Sequence, residues 1–197
     1  MSALRLESLS GAAIARQLQP LAEVRMTVFR DWPYLYEGSL DYEREYLDVY
    51  LRSPRSLAVL VWDGAHCVGA TTALPMTDAE DAVKDAFTKQ SLPVDRYCYF
   101  GESVLLPAYR GRGLGVRFFE AREQHARTLG LARCTFCAVE RPAAHPLKPA
   151  DYVPNDAFWS HRGYRKLQNV STTFDWPDLG ERASSTKRMQ FWARELP

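Results

Sequence analysis

Residues 105–115 read Leu105-Leu106-Pro107-Ala108-Tyr109-Arg110-Gly111-Arg112-Gly113-Leu114-Gly115, an apolar run that passes through a proline into a turn of alternating glycine and arginine. Glycine at every second position lets the backbone bend tightly and approach a ligand with no Cβ in the way. Where a helix starts, its first amide hydrogens have no carbonyl partner within the helix and point outward, so such a turn suits an anion. Arg110 and Arg112 add guanidinium groups, whose paired N–H donors match phosphate oxygens. The turn is expected to cradle a phosphate-bearing ligand.

What the turn lacks narrows that ligand. There is no Gly-x-x-x-x-Gly-Lys-Ser/Thr, hence neither the lysine for β- and γ-phosphates nor the hydroxyl for Mg²⁺ of a nucleoside triphosphatase. The glycines run Gly-x-Gly-x-Gly, and no strand ending in an acidic residue follows about 20 residues later to hold a ribose, so the dinucleotide fingerprint is not met either.

Downstream, Leu114, Phe118, Phe119, Ala121, Ala126 and Leu129 fall on one arc at helical spacing, and Arg117, Glu120, Glu123, Gln124 and Arg127 on the other. Gly130 supplies the stop. His125 lies on the apolar arc, where a packed, hydrogen-bonded core histidine is expected. Residues 131–139 read as a strand, which completes a strand-turn-helix-strand unit.

The hexad Arg110-Gly111-Arg112-Gly113-Leu114-Gly115 resembles the acyl-coenzyme A signature of the GCN5-related N-acetyltransferase (GNAT) superfamily, Arg/Gln-x-x-Gly-x-Gly/Ala, and residues 105–109 match its lead-in from the central strand. Asn155-Asp156-Ala157-Phe158-Trp159-Ser160-His161-Arg162-Gly163-Tyr164 is similar to the superfamily's late helix, which packs beside the pantetheine arm. The resemblance is close over residues 95–165. It implies an α/β (α+β) GNAT fold, with a central mixed, mostly antiparallel twisted sheet of about seven strands flanked by about four helices. It also implies one acyl-coenzyme A N-acyltransferase domain over residues 1–197, with acetyl-coenzyme A as co-substrate and no metal.

The resemblance assigns roles to residues. Backbone N–H groups of Val104, Leu105 and Leu106 would bond pantetheine and polarise the thioester carbonyl. The amides from Arg110 to Gly115 would hold the pyrophosphate. Asn155 has two readings, a bond to pantetheine or an N-cap for the helix that follows. An amine acceptor must lose a proton, and Glu102, on the central strand, is the expected base; a glutamate that merely pairs with an arginine or bonds nearby backbone is the alternative. The superfamily's general acid is often a tyrosine on the late helix, but Trp159 stands there, and an indole N–H is far too weak an acid. Tyr152 is the chosen substitute, with His161 as the other and unassisted thiolate departure as a third route. Tyr34, Tyr36 and Glu37, in the segment 32–38 between the first two helices, are expected to line the acceptor site, holding a cationic amine with rings and a carboxylate, with Asp41 close by. Simple sealing of the helices onto the sheet is the plainer reading of those aromatics.

The rest of the chain is compatible. At 197 residues and 46% hydrophobic it is long enough for one sizeable core. Twenty-five Lys and Arg against 24 Asp and Glu leave a net charge of +1, so no global field recruits nucleic acid or an anionic membrane. No apolar run approaches the roughly 20 residues a membrane-crossing helix needs, and the N-terminus lacks a basic-then-apolar leader, so a cytoplasmic protein is expected. Cys134 and Cys137 have Cys-x-x-Cys spacing without a second pair to complete a zinc site, and in a strand they face opposite ways, as buried thiols.

Residues 3–8, 57–62, 66–74, 97–105, 164–175 and 186–194 read as further strands, the second and third joined at Asp63-Gly64 in a hairpin. Residues 11–32, 40–52 and 78–90 read as helices. Residues 141–154 hold Pro142, Pro146, Pro149 and Pro154 and read as a long irregular loop, a length that is commonly functional. The expected activity is acetyl transfer to a primary amine of a small molecule or peptide. A coenzyme A-binding regulatory module without turnover, and an enzyme using another acyl group or a hydroxyl acceptor, are the alternatives; the closing strands of such folds often mediate pairing, so a homodimer is one expectation for its assembly.

Overall fold

The computed structural model describes residues 3–197. Seven strands form one sheet: β1 (Arg5–Leu9), β2 (Leu57–Asp63), β3 (His66–Pro75), β4 (Tyr97–Leu105), β5 (Arg133–Val139), β6 (Arg165–Trp176) and β7 (Ser185–Glu195). They lie in the order β1-β2-β3-β4-β5-β7-β6. Every neighbouring pair is antiparallel except β4 and β5, which are parallel. This is the mixed, mostly antiparallel sheet of about seven strands that the sequence led us to expect. Five α-helices, where about four were expected, accompany it: α1 (Leu18–Phe29), α2 (Leu40–Arg52), α3 (Asp81–Thr88), α4 (Leu114–Thr128) and α5 (Asp156–His161).

The helical span expected at 11–32 divides into a 3-10 stretch, Gly11–Gln17, and α1. Pro20 accounts for this, because its ring excludes an α-helical turn just before it but is tolerated in a first turn. Ser39 starts α2 as an N-cap, its hydroxyl accepting from the Tyr42 amide at 3.3 Å.

Two layers of side chains sandwich the sheet. Leu21, Leu47, Tyr50, Leu60, Leu74 and Phe87 close one face, under α1, α2 and α3. Phe100, Phe119, Phe136, Tyr164 and Trp192 close the other, under α4 and α5. Cys134 belongs to the second layer and Cys137 to the first, so the two thiols do face opposite sides, and both are free and buried.

The central strand carries a change of parity. Phe100 pairs with Ala73 and Ser103 with Thr71, so β4 has one extra residue around Gly101–Glu102. Before this bulge Tyr97 and Tyr99 point to the first layer and Phe100 to the second. After it Val104, an even-numbered residue, points to the first layer. An inserted residue inverts the alternation and strengthens the local twist.

The twist matters on the other edge of β4. The ladder to β5 joins only Tyr97 to Arg133, Cys98 to Cys134 and Tyr99 to Thr135, and beyond these rungs the parallel strands separate. A wedge opens between them, with unpaired backbone along its β4 side.

Candidate functional site

The wedge is the centre of a cleft of about 670 Å³, lined at one end by Arg110 and Gly115, along its length by Ser103, Leu105, Phe136 and Trp159, and at the other end by Glu102, Tyr34 and Tyr152. One continuous hollow therefore joins the glycine turn, the open strand edge and the segment expected to receive the acceptor.

At the turn, Gly111 (φ +73°) and Gly113 (φ +77°) adopt the left-handed backbone that glycine takes without strain, and no atom lies within 4 Å of where a β-carbon on either would stand. Gly113 occupies the N-cap position of α4. The first helical bond donates from the Arg117 amide to the Gly113 carbonyl at 3.2 Å, leaving the amides of Leu114, Gly115 and Val116 without a carbonyl inside the helix. The Leu114 side chain itself is buried against Val61, Val68 and Phe118, so only its amide is free to serve a ligand. The two arginines are held beside the turn. Arg110 Nε donates to the Leu105 carbonyl at 3.1 Å, and the Arg112 guanidinium lies 5.1 Å from the Tyr109 ring centroid.

Along β4 the expected amide donors change. The Leu106 amide already donates to the Val68 carbonyl at 2.9 Å. Antiparallel rungs alternate, so Val104, two residues earlier, also turns its N–H to β3, while Leu105 and Ser103 turn theirs toward the wedge. Val104 and Leu106 therefore leave the expected donor set, Leu105 stays, and Ser103 enters it. The parity depends on the bulge, and the only sequence signal for it is the glycine at 101 inside the strand, which does not say where the extra residue falls.

Past the bulge, Glu102 faces α1 and α2. Arg25 Nη1 donates to Glu102 Oε2, Thr72 Oγ1 to Glu102 Oε1 at 2.7 Å, and the Tyr46 hydroxyl to Oε2 at 3.3 Å. Arg25 Nε donates in turn to Glu43 Oε2 at 2.6 Å. All three charged side chains are buried. Burial pushes the Glu102 carboxyl above the usual range, the Arg25 charge pulls against it, and the Glu43 charge adds to the rise. Arg25, Glu43, Tyr46 and Thr72 were not singled out in the sequence; a lone arginine among apolar helical positions is the signal that could have found Arg25.

Beside Glu102 a smaller pocket of about 60 Å³ is walled by Tyr34, Tyr36, Tyr42, Tyr46 and Trp176. Tyr34 and Tyr36, the tyrosines expected at an acceptor site, both line this pocket. Glu37 does not. It is exposed and paired with Arg30, and it lines neither hollow. Tyr36 bridges to Asp178 in extended conformation, so its successor points the opposite way. Asp41 is likewise turned out, paired with Arg44 at 3.0 Å.

Tyr152 sits at the cleft wall with its ring edge-on to Trp32, the centroids 6.0 Å apart. Burial raises its phenol above the usual value, so it stays protonated at neutral pH. Asn155 lines the cleft and occupies the N-cap position of α5, but its side chain makes no capping bond. Trp159 packs edge-on against Phe136 and Trp192, and His161 is exposed and lines neither hollow. Glu123, read from the sequence as surface, is buried and bonded to Tyr164, Arg162 and Arg194. His125 is partly buried, its Nε2 2.7 Å from the Arg55 carbonyl. Among the described residues no group of three or more His, Cys, Asp or Glu is placed to hold a metal, and no helix is long and apolar enough to cross a membrane.

Known proteins bear on the family and the fold. The model of the acetyltransferase (GNAT) family matches residues 21–147. No curated protein is matched by the sequence. Among solved structures, an N-acetyltransferase from Staphylococcus aureus Mu50 superposes with a TM-score of 0.62 at 8% identity over 100% of both chains. The PaiA N-acetyltransferase of Thermoplasma acidophilum, solved with coenzyme A, gives 0.58 at 12% identity, covering 98% of this chain and 99% of that one. A ribosomal-protein-alanine N-acetyltransferase from Brucella melitensis gives 0.61 at 11%, again over 98% and 99%. At these identities the likeness is one of fold.

Proposed function

Because the chain belongs to the acetyltransferase (GNAT) family, we propose that it transfers an acetyl group from acetyl-coenzyme A to a primary amine of a small molecule or peptide by direct attack. The observation that carries this reading is the continuity of the cleft: an open glycine turn at a helix N-terminus, an unpaired strand edge, and a buried carboxylate follow one another along a single hollow.

The amides of Gly111 to Gly115, with Arg110 and Arg112 beside them, suit the pyrophosphate of the thioester substrate. The open amides of Ser103 and Leu105 suit the pantetheine arm and the thioester oxygen, where negative charge grows during attack. Glu102 takes the proton of the incoming amine, directly or through a water, and its raised basicity fits that task. Asn155, which makes no capping bond, bonds pantetheine in this reading, and Tyr152, at the cleft wall, protonates the departing thiolate. The tyrosine-walled pocket beside Glu102 receives the acceptor.

Calorimetry with coenzyme A, followed by thiol release from acetyl-coenzyme A against polyamines, amino acids, aminoglycosides and peptide N-termini, tests the reading. Heat on binding and thiol release with an amine support it; no heat at low salt overturns it. Binding without release from any acceptor would favour a regulatory coenzyme A-binding module, the reading that Trp159 at the usual tyrosine position keeps open.

A further inference from the structure

Arg122, on the cleft floor, is a buried charge with no anion of its own. It is 2% exposed, yet its polar partners are two carbonyls: Nε donates to Phe118 at 3.2 Å and Nη1 to Glu102 at 3.4 Å. Its Nη2 is buried without a partner. The guanidinium lies over the rings of Phe100 and Phe119, 4.3 and 4.6 Å from their centroids. Buried charges are ordinarily paired, so an unpaired one at a cleft floor invites an anion.

The surroundings confirm the excess. The titratable groups facing Arg122 are Tyr164, Cys134 on β5, Cys98 on β4 and Glu123 on α4. Burial pushes the Cys98 thiol up to about 12 and raises Cys134 and Tyr164 further, so all three are neutral at ordinary pH. Glu123 is already engaged by Arg194 at 3.0 Å, Arg162 at 3.3 Å and the Tyr164 hydroxyl at 3.1 Å. Burial lowers the Arg122 guanidinium to about 10, which leaves it charged at neutral pH. In the cluster around Arg122 three guanidiniums, those of Arg122, Arg162 and Arg194, share the one carboxylate of Glu123, while Asp156 at the cleft is paired with Lys166. On the other side of β4 two carboxylates, Glu43 and Glu102, face the single guanidinium of Arg25. Between these two buried clusters the central strand separates an excess of negative charge from an excess of positive charge.

We infer that Arg122 stabilises the sulfur of coenzyme A as it departs as a thiolate, a role that rests on the acyltransferase reading. As the amine nitrogen bonds to the acyl carbon, the carbon–sulfur bond breaks and its electron pair leaves on sulfur. The ammonium proton goes to Glu102 on the negative side, while the sulfur anion forms beside the unneutralised charge on the positive side. A field of this kind acts across several ångströms in a poorly hydrated cleft and needs no direct hydrogen bond to sulfur. It supplies electrostatically what an indole at position 159 cannot supply as an acid.

The test is the ultraviolet thiolate absorbance of coenzyme A bound to the full chain, titrated with pH. The bound thiol should ionise about one pH unit or more below free coenzyme A. Arg122→Met should abolish that shift and lower kcat by tenfold or more with little change in KM for acetyl-coenzyme A, and Arg122→Lys should retain part of both. An unshifted thiol in the wild type, or the same shift in Arg122→Met, would overturn the inference. So would a preference for a carboxylate-tipped acyl chain such as succinyl that Arg122→Met loses, since the charge would then serve the acyl group. If Arg122→Met does not fold, the wild-type titration and Arg122→Lys decide. Absence of coenzyme A binding sinks the acyltransferase reading as well, whereas normal binding with an unshifted thiol sinks only the role of Arg122.

Discussion

Arg141 and Asp178 meet fork to fork, Nη1 donating to Oδ2 at 2.7 Å and Nη2 to Oδ1 at 2.8 Å, while Arg141 Nε donates to the Pro33 carbonyl at 2.8 Å. One guanidinium thus ties the proline-rich loop, the turn before β7 and the aromatic segment after α1 into a single wall. Arg141→Ala should cost about 3 kcal/mol of stability, as the loss of one partner from a largely buried pair does. It should also lower kcat/KM for the acceptor by on the order of tenfold through misplacement of Tyr34. Chemical denaturation and steady-state kinetics read the two effects, and calorimetry should show coenzyme A binding unchanged.

The same pair makes stability depend on acid. Burial pushes the Asp178 carboxyl up, but hydrogen bonds from Arg141 and Lys187 outweigh it and hold the group below its usual range. A carboxyl depressed in the folded state contributes stability above its unfolded value and loses it as pH falls through the depressed one. The melting temperature should therefore fall below about pH 4, and Asp178→Asn, already destabilised at neutral pH, should fall less steeply.

Gly113→Ala tests the turn. A β-carbon meets open space there, so the penalty is conformational, about 1–2 kcal/mol for a left-handed residue. If that penalty is relieved by reshaping the turn, coenzyme A affinity should drop by roughly tenfold. Calorimetry showing undiminished affinity would mean that the amides at this turn do not carry the pyrophosphate.

Glu102→Gln keeps the shape and removes the basicity. We expect a loss of roughly 10²- to 10⁴-fold in kcat. The acidic limb of the kcat/KM profile, which should lie above the ordinary carboxylate range in the wild type, should disappear. An intact rate and profile with the true acceptor would leave Glu102 as the structural partner of Arg25.

Tyr152→Phe removes the hydroxyl and keeps the ring packed on Trp32. If the phenol protonates the thiolate, kcat falls by roughly tenfold or more while coenzyme A binding holds. Unchanged turnover would mean that the thiolate leaves without it.

Much of the fold was legible in local pattern. The apolar runs of β2 and β3, the Asp63-Gly64 turn between them and the glycine turn before α4 are short-range signals, and the elements stand where those signals put them. What stayed hidden depends on long-range register. Gly101 inside the strand hints at a bulge but does not fix its register, so neither the pairing of Glu102 with Arg25, 77 residues away, nor the replacement of Val104 and Leu106 by Ser103 along the open edge could be read. Arg122, four residues from both Phe118 and Ala126, lies inside the apolar arc and was legible as a core position, whereas Glu123 sits at the edge of that arc and only the arrival of Tyr164, Arg162 and Arg194 decides for core.

The extra residue in β4 has an evolutionary corollary. Phe100 and Glu102 lie two positions apart yet serve opposite faces, so the aromatic layer beneath α4 and the proposed base share the same few backbone bonds. Selection cannot adjust one without straining the other, whereas the acceptor wall, borne on separate connections, is free to diverge. New acceptor preferences should therefore arise by rebuilding the periphery around an unaltered hinge of backbone.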